Sequence, residues 1–315
     1  AFYNNVEGDR NTLMGYGSGV DITSNDNTAV GYNAAKYTSS GASNVAIGSS
    51  ALYNNTTATA NTAVGYQALY SNTTSGLSTA VGYQAAYHTT TGGRTTAVGY
   101  LAAYNITTGT NNVAIGAAIS GLSGTLGTNT TGSYNVAIGD SALQANTESS
   151  NIAIGYAALL YNTTMSRNTA VGFEAAKSNT TGSGVAAFGS TALRSNTTGK
   201  SNTAIGGWDA TDGVIGAMYY NTTGSYNVAV GTGSLSANTT ASSNTAVGYQ
   251  AGYAATTGGY NTFLGYQSGL ASNHTSDAFA NNTFIGALSG STVTTGRKNT
   301  IVGLYNGNQG GLDIR

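Results

Sequence analysis

Along the chain, short apolar clusters alternate with polar stretches, and the clusters recur at a fixed interval. Asn27-Thr28-Ala29-Val30-Gly31 is followed by Asn44-Val45-Ala46-Ile47-Gly48, then by Asn61-Thr62-Ala63-Val64-Gly65-Tyr66-Gln67-Ala68-Leu69-Tyr70-Ser71-Asn72-Thr73-Thr74. The closing glycines step by 17 residues from Gly31 through Gly48, Gly65, Gly82 and Gly99 to Gly116. The unit continues at Gly139, Gly155, Gly172, Gly189, Gly206, Gly231, Gly248, Gly265, Gly286 and Gly303, and Gly15 closes a weaker first copy. Such a period over a whole chain is the mark of a solenoid.

A helix does not suit the unit, because a Gly in every copy costs about 1 kcal/mol in a helix. A strand does: residues 28 and 30 share one face, and residues 29 and 31 share the other. One face is β-branched and the other is nearly bare, so another backbone approaches closely there. A second extended segment, such as Tyr66-Gln67-Ala68-Leu69-Tyr70, leads into the turn Ser71-Asn72-Thr73-Thr74-Ser75-Gly76. The pattern predicts an all-β, parallel β-solenoid (a β-roll) of about 17 rungs with 17-residue repeats, each rung holding two short strands and two turns. Rungs stacked at about 4.8 Å make a rod roughly 80 Å long. The Asn before most strands (among them Asn61, Asn112, Asn135 and Asn244) suits a ladder in which each amide bonds to the next rung.

Residues 1–10 are off-pattern and read as an N-terminal cap or junction; the repeat domain spans 11–305, and 306–315 form a C-terminal tail or junction. Three rungs are long, with 23 residues from Gly116 to Gly139, 25 from Gly206 to Gly231 and 21 from Gly265 to Gly286. Insertions of this kind loop outward, often on the binding side. The second holds the only tryptophan, Trp208, and then Tyr219 and Tyr220.

Composition narrows the picture. Charged residues are 7% of the 315, against about 25% in an ordinary protein. With a net charge of −1 there is no basic footprint for nucleic acid. Cysteine and proline are both absent, so disulfides and thiolate metal sites are excluded, and turns fall to Gly, Asn and Ser. No apolar run is long enough to predict a membrane span. A 17-residue coil has room for three or four core side chains at native density, yet each unit offers more, including much of a stock of 22 tyrosines. The surplus predicts an interface, and the chain an oligomer.

At Asn-Val-Ala-Ile-Gly (44–48, 112–116, 135–139) and Asn-Thr-Ala-Val-Gly-Tyr-Gln-Ala (61–68, 244–251) the sequence resembles the head repeats of trimeric autotransporter adhesins. It resembles more closely the Asn-Thr-Ala-Leu-Gly-Tyr-type repeats of phage tail fibres and bacterial surface proteins. The resemblance covers residues 11–305. It implies a left-handed parallel β-roll, three chains side by side as a homotrimer, and an extracellular fibre. It also implies that the residues before the glycines (Val30, Ile47, Val64, Val81) fill the roll.

Candidate chemistry is sparse. The acids are scattered, and Asp209 with Asp212 reads as a turn or solvated pair rather than a catalytic or metal site. His88 and His274 lie too far apart in the repeat to share a site. No Ser-His-acid set and no phosphate-binding glycine motif can be assembled, so no enzyme, cofactor or metal is expected. Asn-x-Ser/Thr recurs seven residues after the key Gly, at Asn55, Asn72, Asn162, Asn179, Asn196 and Asn238. Two readings stand: a column of glycans, or Asx turns.

The leading function is a structural and adhesive extracellular fibre, with Trp208, Tyr219 and Tyr220 as the contact patch for a glycan or cell-surface receptor. A second is an end-to-end self-assembling filament. A third is ice binding through a Thr column (Thr28, Thr62, Thr79, Thr96, Thr169, Thr203, Thr245), which Val or Ile interrupts at 45, 113, 136, 152 and 228.

Overall fold

The computed structural model describes residues 8–118, 124–273 and 280–306. Residues 1–7 of the junction expected at 1–10, residues 307–315 of the tail expected at 306–315, and His274 lie outside these residues. The chain divides into two compact units, 1–157 and 158–315. Each is a parallel β-solenoid, as the repeat predicts, and no helix occurs among the described residues.

The first unit carries β1 (Thr12–Met14), β2 (Thr28–Val30), β3 (Val45–Ile47), β4 (Thr62–Val64), β5 (Thr79–Val81), β6 (Thr96–Val98), β7 (Val113–Ile115), β8 (Val136–Ile138) and β9 (Ile152–Ile154). Each strand pairs in parallel with the next, equivalent residue on equivalent residue. The second unit repeats the scheme with β10 (Thr169–Val171), β11 (Ala186–Phe188), β12 (Thr203–Ile205), β13 (Val228–Val230), β14 (Thr245–Val247), β15 (Thr262–Leu264), β16 (Thr283–Ile285) and β17 (Thr300–Val302). The long rungs leave the register intact: Val113 still pairs with Val136, and Thr203 with Val228.

One rung shows why the path is what it is. After β4, Gly65 takes φ +136°, and a Cβ there would sit on the carbonyl of Gly82 in the next rung. No other residue type fits that corner. Beyond it the expected second strand is absent. Gln67 (φ +54°) and Leu69 (φ +49°) are left-handed and alternate with ordinary residues. Their amides therefore point in opposite directions. Gln67 N–H donates back to Ser49 (3.0 Å), while Leu69 and Ser71 donate forward to Ala85 and Tyr87 (3.0 Å each). Each rung is thus one three-residue strand and a train of turns, bonded to both neighbours.

The faces are also the reverse of those the resemblance implies. Ala63, at the strand centre, is fully buried with Ala68 and Leu69, whereas the β-branched residues flank it outside. Ile47 is 40% exposed, and Val81, Ile115, Ile154 and Ile205 are similarly open. The reason is space. Strand alternation sends the centre residue one way and its flanks the other, and where the facing turn already buries a leucine such as Leu69, only a small centre residue fits inside. Val30, Ile47, Val64 and Val81 do not fill the roll.

Asparagine completes the interior. Oδ1 of Asn44 accepts the backbone N–H of Asn61 (3.0 Å), and Nδ2 of Asn61 donates to the Ser75 carbonyl (2.9 Å). The staple recurs at Asn112 with Asn135, Asn227 with Asn244 and Asn244 with Asn261. The ladder expected before the strands therefore exists: side chain-to-backbone bonds recur along it, and some rungs add the amide-to-amide bond, as from Asn261 Nδ2 to Asn244 Oδ1 (3.0 Å) and from Asn44 Nδ2 to Asn27 Oδ1 (3.2 Å). Each buried group left unpaired would cost about 1–3 kcal/mol.

Candidate functional site

Two surfaces stand out. The first is the outward strand face of each unit. None of the seventeen strands carries a charged residue. In the first unit the residue before each Gly runs Val30, Ile47, Val64, Val81, Val98, Ile115; in the second it includes Phe188, Ile205 and Leu264. The Thr column (Thr28, Thr62, Thr79, Thr96) stands on the same face. Beside it, tyrosines one residue past the Gly stack rung on rung. Tyr66, Tyr83 and Tyr100 have ring centroids 5.2 and 5.4 Å apart, with Tyr66 still 45% exposed. A second column, Tyr53, Tyr70, Tyr87 and Tyr104, stacks at 5.0–5.3 Å. Rung spacing imposes these distances, and stacked rings contribute about 0.5–1.5 kcal/mol per pair. The apolar surplus of Tyr66 and Tyr70 is thus partly met within the chain. Burial pushes the Tyr87 phenol up, and the flanking Tyr70 and Tyr104 add to it.

The six sequon asparagines belong to neither surface. Asn55, Asn72, Asn162, Asn179, Asn196 and Asn238 are fully buried. In each, Nδ2 donates to the carbonyl three residues on, as in Asn72 to Ser75 (3.0 Å) and Asn196 to Gly199 (3.0 Å). In the second unit Nδ2 also donates to the Oδ1 of the preceding rung, from Asn179 to Asn162 (3.0 Å) and from Asn196 to Asn179 (2.7 Å). A glycan needs that nitrogen and an open path to it. The geometry here is that of the Asx-turn reading, and the column forms an interior amide ladder.

The second surface is a groove of about 340 Å³ in the second unit, lined by Phe173, Glu174, Thr191, Arg194, Trp208, Ile215 and Tyr219. Stacking builds it. Trp208 N–H donates to Ser190 (3.0 Å), which sets the indole in the turn slot that Glu174 and Thr191 hold in the two preceding rungs. Three residues further round lie Lys177 and Arg194, with Tyr219 at the matching slot of the long rung. The insertion leaves after Trp208 and folds back on itself by a bridge between Asp209 and Val214. Asp209 Oδ1 accepts the Thr211 N–H (2.9 Å), the turn role expected of it. Of the expected contact residues, Trp208 and Tyr219 line the groove. Tyr220 is exposed beside it, its ring edge-on to Tyr219 at 4.7 Å.

Charge concentrates here. Glu174 accepts from Lys177 (2.6 Å) and from Arg194 Nε (2.5 Å), and the Arg194 guanidinium lies 5.6 Å from the Tyr219 ring centroid. Burial pushes the Glu174 carboxyl up, but the two hydrogen bonds and the two cations outweigh it and hold the group below the usual carboxylate range. Arg194 is raised, first by its hydrogen bond to Glu174. Among the described residues no three His, Cys, Asp or Glu side chains gather as a metal site would require, and no helix is long and apolar enough to cross a membrane.

Phe173, Glu174, Thr191, Arg194 and Ile215 do not emerge from motif reading. Their signal is positional. Glu174 stands where Gln67 and Gln84 stand in other rungs, and Arg194 where Tyr70 stands, in adjacent copies of the repeat. Set against known proteins, the chain matches no family model, no curated protein and no solved structure, so its likeness to fibre repeats rests on its own residues.

Proposed function

We propose that the chain is a non-enzymatic structural and adhesive part of an extracellular fibre, a surface adhesin or the shaft of a phage tail fibre, whose copies associate side by side as a homotrimer. The observation that carries this reading is the outward strand face: uncharged, with an apolar column beside a threonine-rich one, and repeated rung after rung. A long exposed apolar stripe marks an interaction surface. Its period of about 4.8 Å is matched best by another copy of the same roll. The resemblance to adhesin-head and tail-fibre repeats supplies the number three, the left hand and the extracellular setting.

Sedimentation equilibrium tests it. A trimer gives three times the 31.5 kDa of the chain, and Val64→Lys with Val81→Lys converts it to folded monomers by placing two charges on the stripe. A wild-type chain that sediments as a monomer sinks the reading, and a species of unlimited mass favours the end-to-end filament.

A further inference from the structure

The groove of the second unit holds a residue that the rest of the repeat does not explain. Thr191 has φ +58°, and it is the only β-branched residue among the described residues with a positive φ. For a branched side chain this is a strained conformation. The residue is 7% exposed, its hydroxyl has no hydrogen-bond partner, and it lines the groove. Elsewhere the same slot holds residues such as Gln67, Gln84, Gln250 and Gln267, which bond to one another from rung to rung (2.7 and 2.8 Å), and Ser141, whose hydroxyl is also unmet at φ +58° but which is unbranched and does not line this groove. At Thr191 alone the strain of a branched side chain and an unmet hydroxyl coincide with the wall of this groove, and that combination points to a ligand.

We propose that this groove binds a carboxylate-bearing pyranose, a saccharide of the uronic or sialic acid class. The assignment rests on the adhesive reading and names what that adhesion recognises. A pyranose presents an apolar face and a rim of hydroxyls. The groove offers both counterparts: aromatic faces from Trp208, Phe173 and Tyr219, and polar groups from Thr191, Glu174 and Arg194. The Trp208 indole is 53% exposed, and no hydrogen bond or ring contact within the described residues occupies it. The volume stands at the small end of ligand sites, which run from about 300 to 1,000 Å³, and suits a sugar unit rather than a folded partner.

Charge selects the acid. Lys177 and Arg194 face the single carboxylate of Glu174, so one positive charge is in excess. An arginine has five N–H donors, more than Glu174 and Tyr219 engage. The two carboxylates of the insertion are turned to other partners, Asp209 to the Thr211 N–H and Asp212 to the Tyr249 hydroxyl at 3.4 Å. A peptide added as a strand finds no free backbone here, since Thr191 and Trp208 already donate to Phe173 and Ser190.

The test is a printed array of oligosaccharides ending in glucuronate, galacturonate or N-acetylneuraminate, each beside its methyl-esterified counterpart, probed with the full chain. An acidic member binds, and its ester binds about tenfold more weakly. Trp208→Ala lowers that affinity about tenfold or more. Thr191→Val, which keeps the shape and removes the hydroxyl, lowers it about fivefold with an unchanged melting curve. Binding to no member, equal binding to acid and ester, or Trp208→Ala binding like wild type overturns the assignment. Sedimentation of the same sample separates the two proposals: a trimer that binds no sugar removes this one alone, and a sugar-binding monomer removes the side-by-side association alone.

Discussion

The rung closed by Gly65 and the rung closed by Gly265 follow the same path and fill it in opposite ways. In the first, the strand centre is Ala63 and the facing turn carries Ala68 and Leu69. In the second, the strand centre is Phe263 and the turn carries Ser268 and Gly269. All six residues are buried. A Cβ on Gly269 would collide with the Phe263 ring, and so would one on Gly252 in the rung before. β1 makes the same exchange, with Leu13 at the centre and Ser18-Gly19 in the turn. The serine hydroxyl then bonds to the strand-centre carbonyl of the next rung, Ser18 to Ala29 (2.7 Å) and Ser268 to Phe284 (2.9 Å). What the solenoid holds constant is the summed volume of facing slots, not the identity of any one.

That comparison can be broken directly. Phe263→Ala empties a space shared by two rungs and costs about 3–5 kcal/mol. Adding Gly269→Leu returns part of it, read as restored hydrogen-exchange protection of the amides around Gly265. If the double variant is no better protected than the single one, volume exchange is the wrong account.

The reverse change comes next in size. Ala63→Phe overfills the first unit's rung and costs about 1–3 kcal/mol. Leu52→Gly and Leu69→Gly in the same chain relieve it, because the second unit meets its phenylalanine with glycines in the same two places. A triple variant as unstable as Ala63→Phe alone contradicts this. Local protection is the proper readout for both, since stability in a repeat array is spread over neighbouring interfaces.

The smallest effect sharpens a difference elsewhere. Leu77 is 59% exposed at φ +63°, and the matching slot in the second unit holds Gly184 at φ +65°. Leu77→Gly removes a left-handed penalty of about 1–2 kcal/mol and adds unfolded-state entropy of about 0.4–1 kcal/mol. A net gain near 0.5–1 kcal/mol in urea denaturation is expected, and a loss would mean that the leucine packs against something.

Much of this architecture was legible in the repeat, because a glycine that forbids a Cβ must recur wherever the corner recurs. Strand position followed from the Gly that closes each triplet and the Asn that precedes most of them, and alternation correctly paired residue 28 with 30. Which side faced inward did not follow. Alternation is symmetric, and the choice depends on how wide the coil is. The second strand failed for a different reason: nothing in Gln67 or Leu69 advertises a left-handed backbone, which is imposed by bonds to the rungs on either side. Trp208 and Tyr219 were visible as unusual residues in a long rung. Glu174, Thr191 and Arg194 were not, since their meeting depends on stacking copies that are distant in sequence. The burial of the sequon asparagines did not follow either, because Asn-Thr-Thr-Gly looks the same from outside a turn as from within one.

The left-handed residues carry a consequence for how such a chain assembles. A single rung in isolation has to hold Gln67, Leu69 and Leu77 in a disfavoured region, at about 1–2 kcal/mol each, with none of the neighbouring carbonyls that reward it. No rung is therefore a folding nucleus by itself. Growth is expected to proceed by copying: each finished rung presents acceptors at set positions, and the next length of chain adopts the costly path only when laid against them. The shape is passed along the chain like a template, and the slow step is making the first turn.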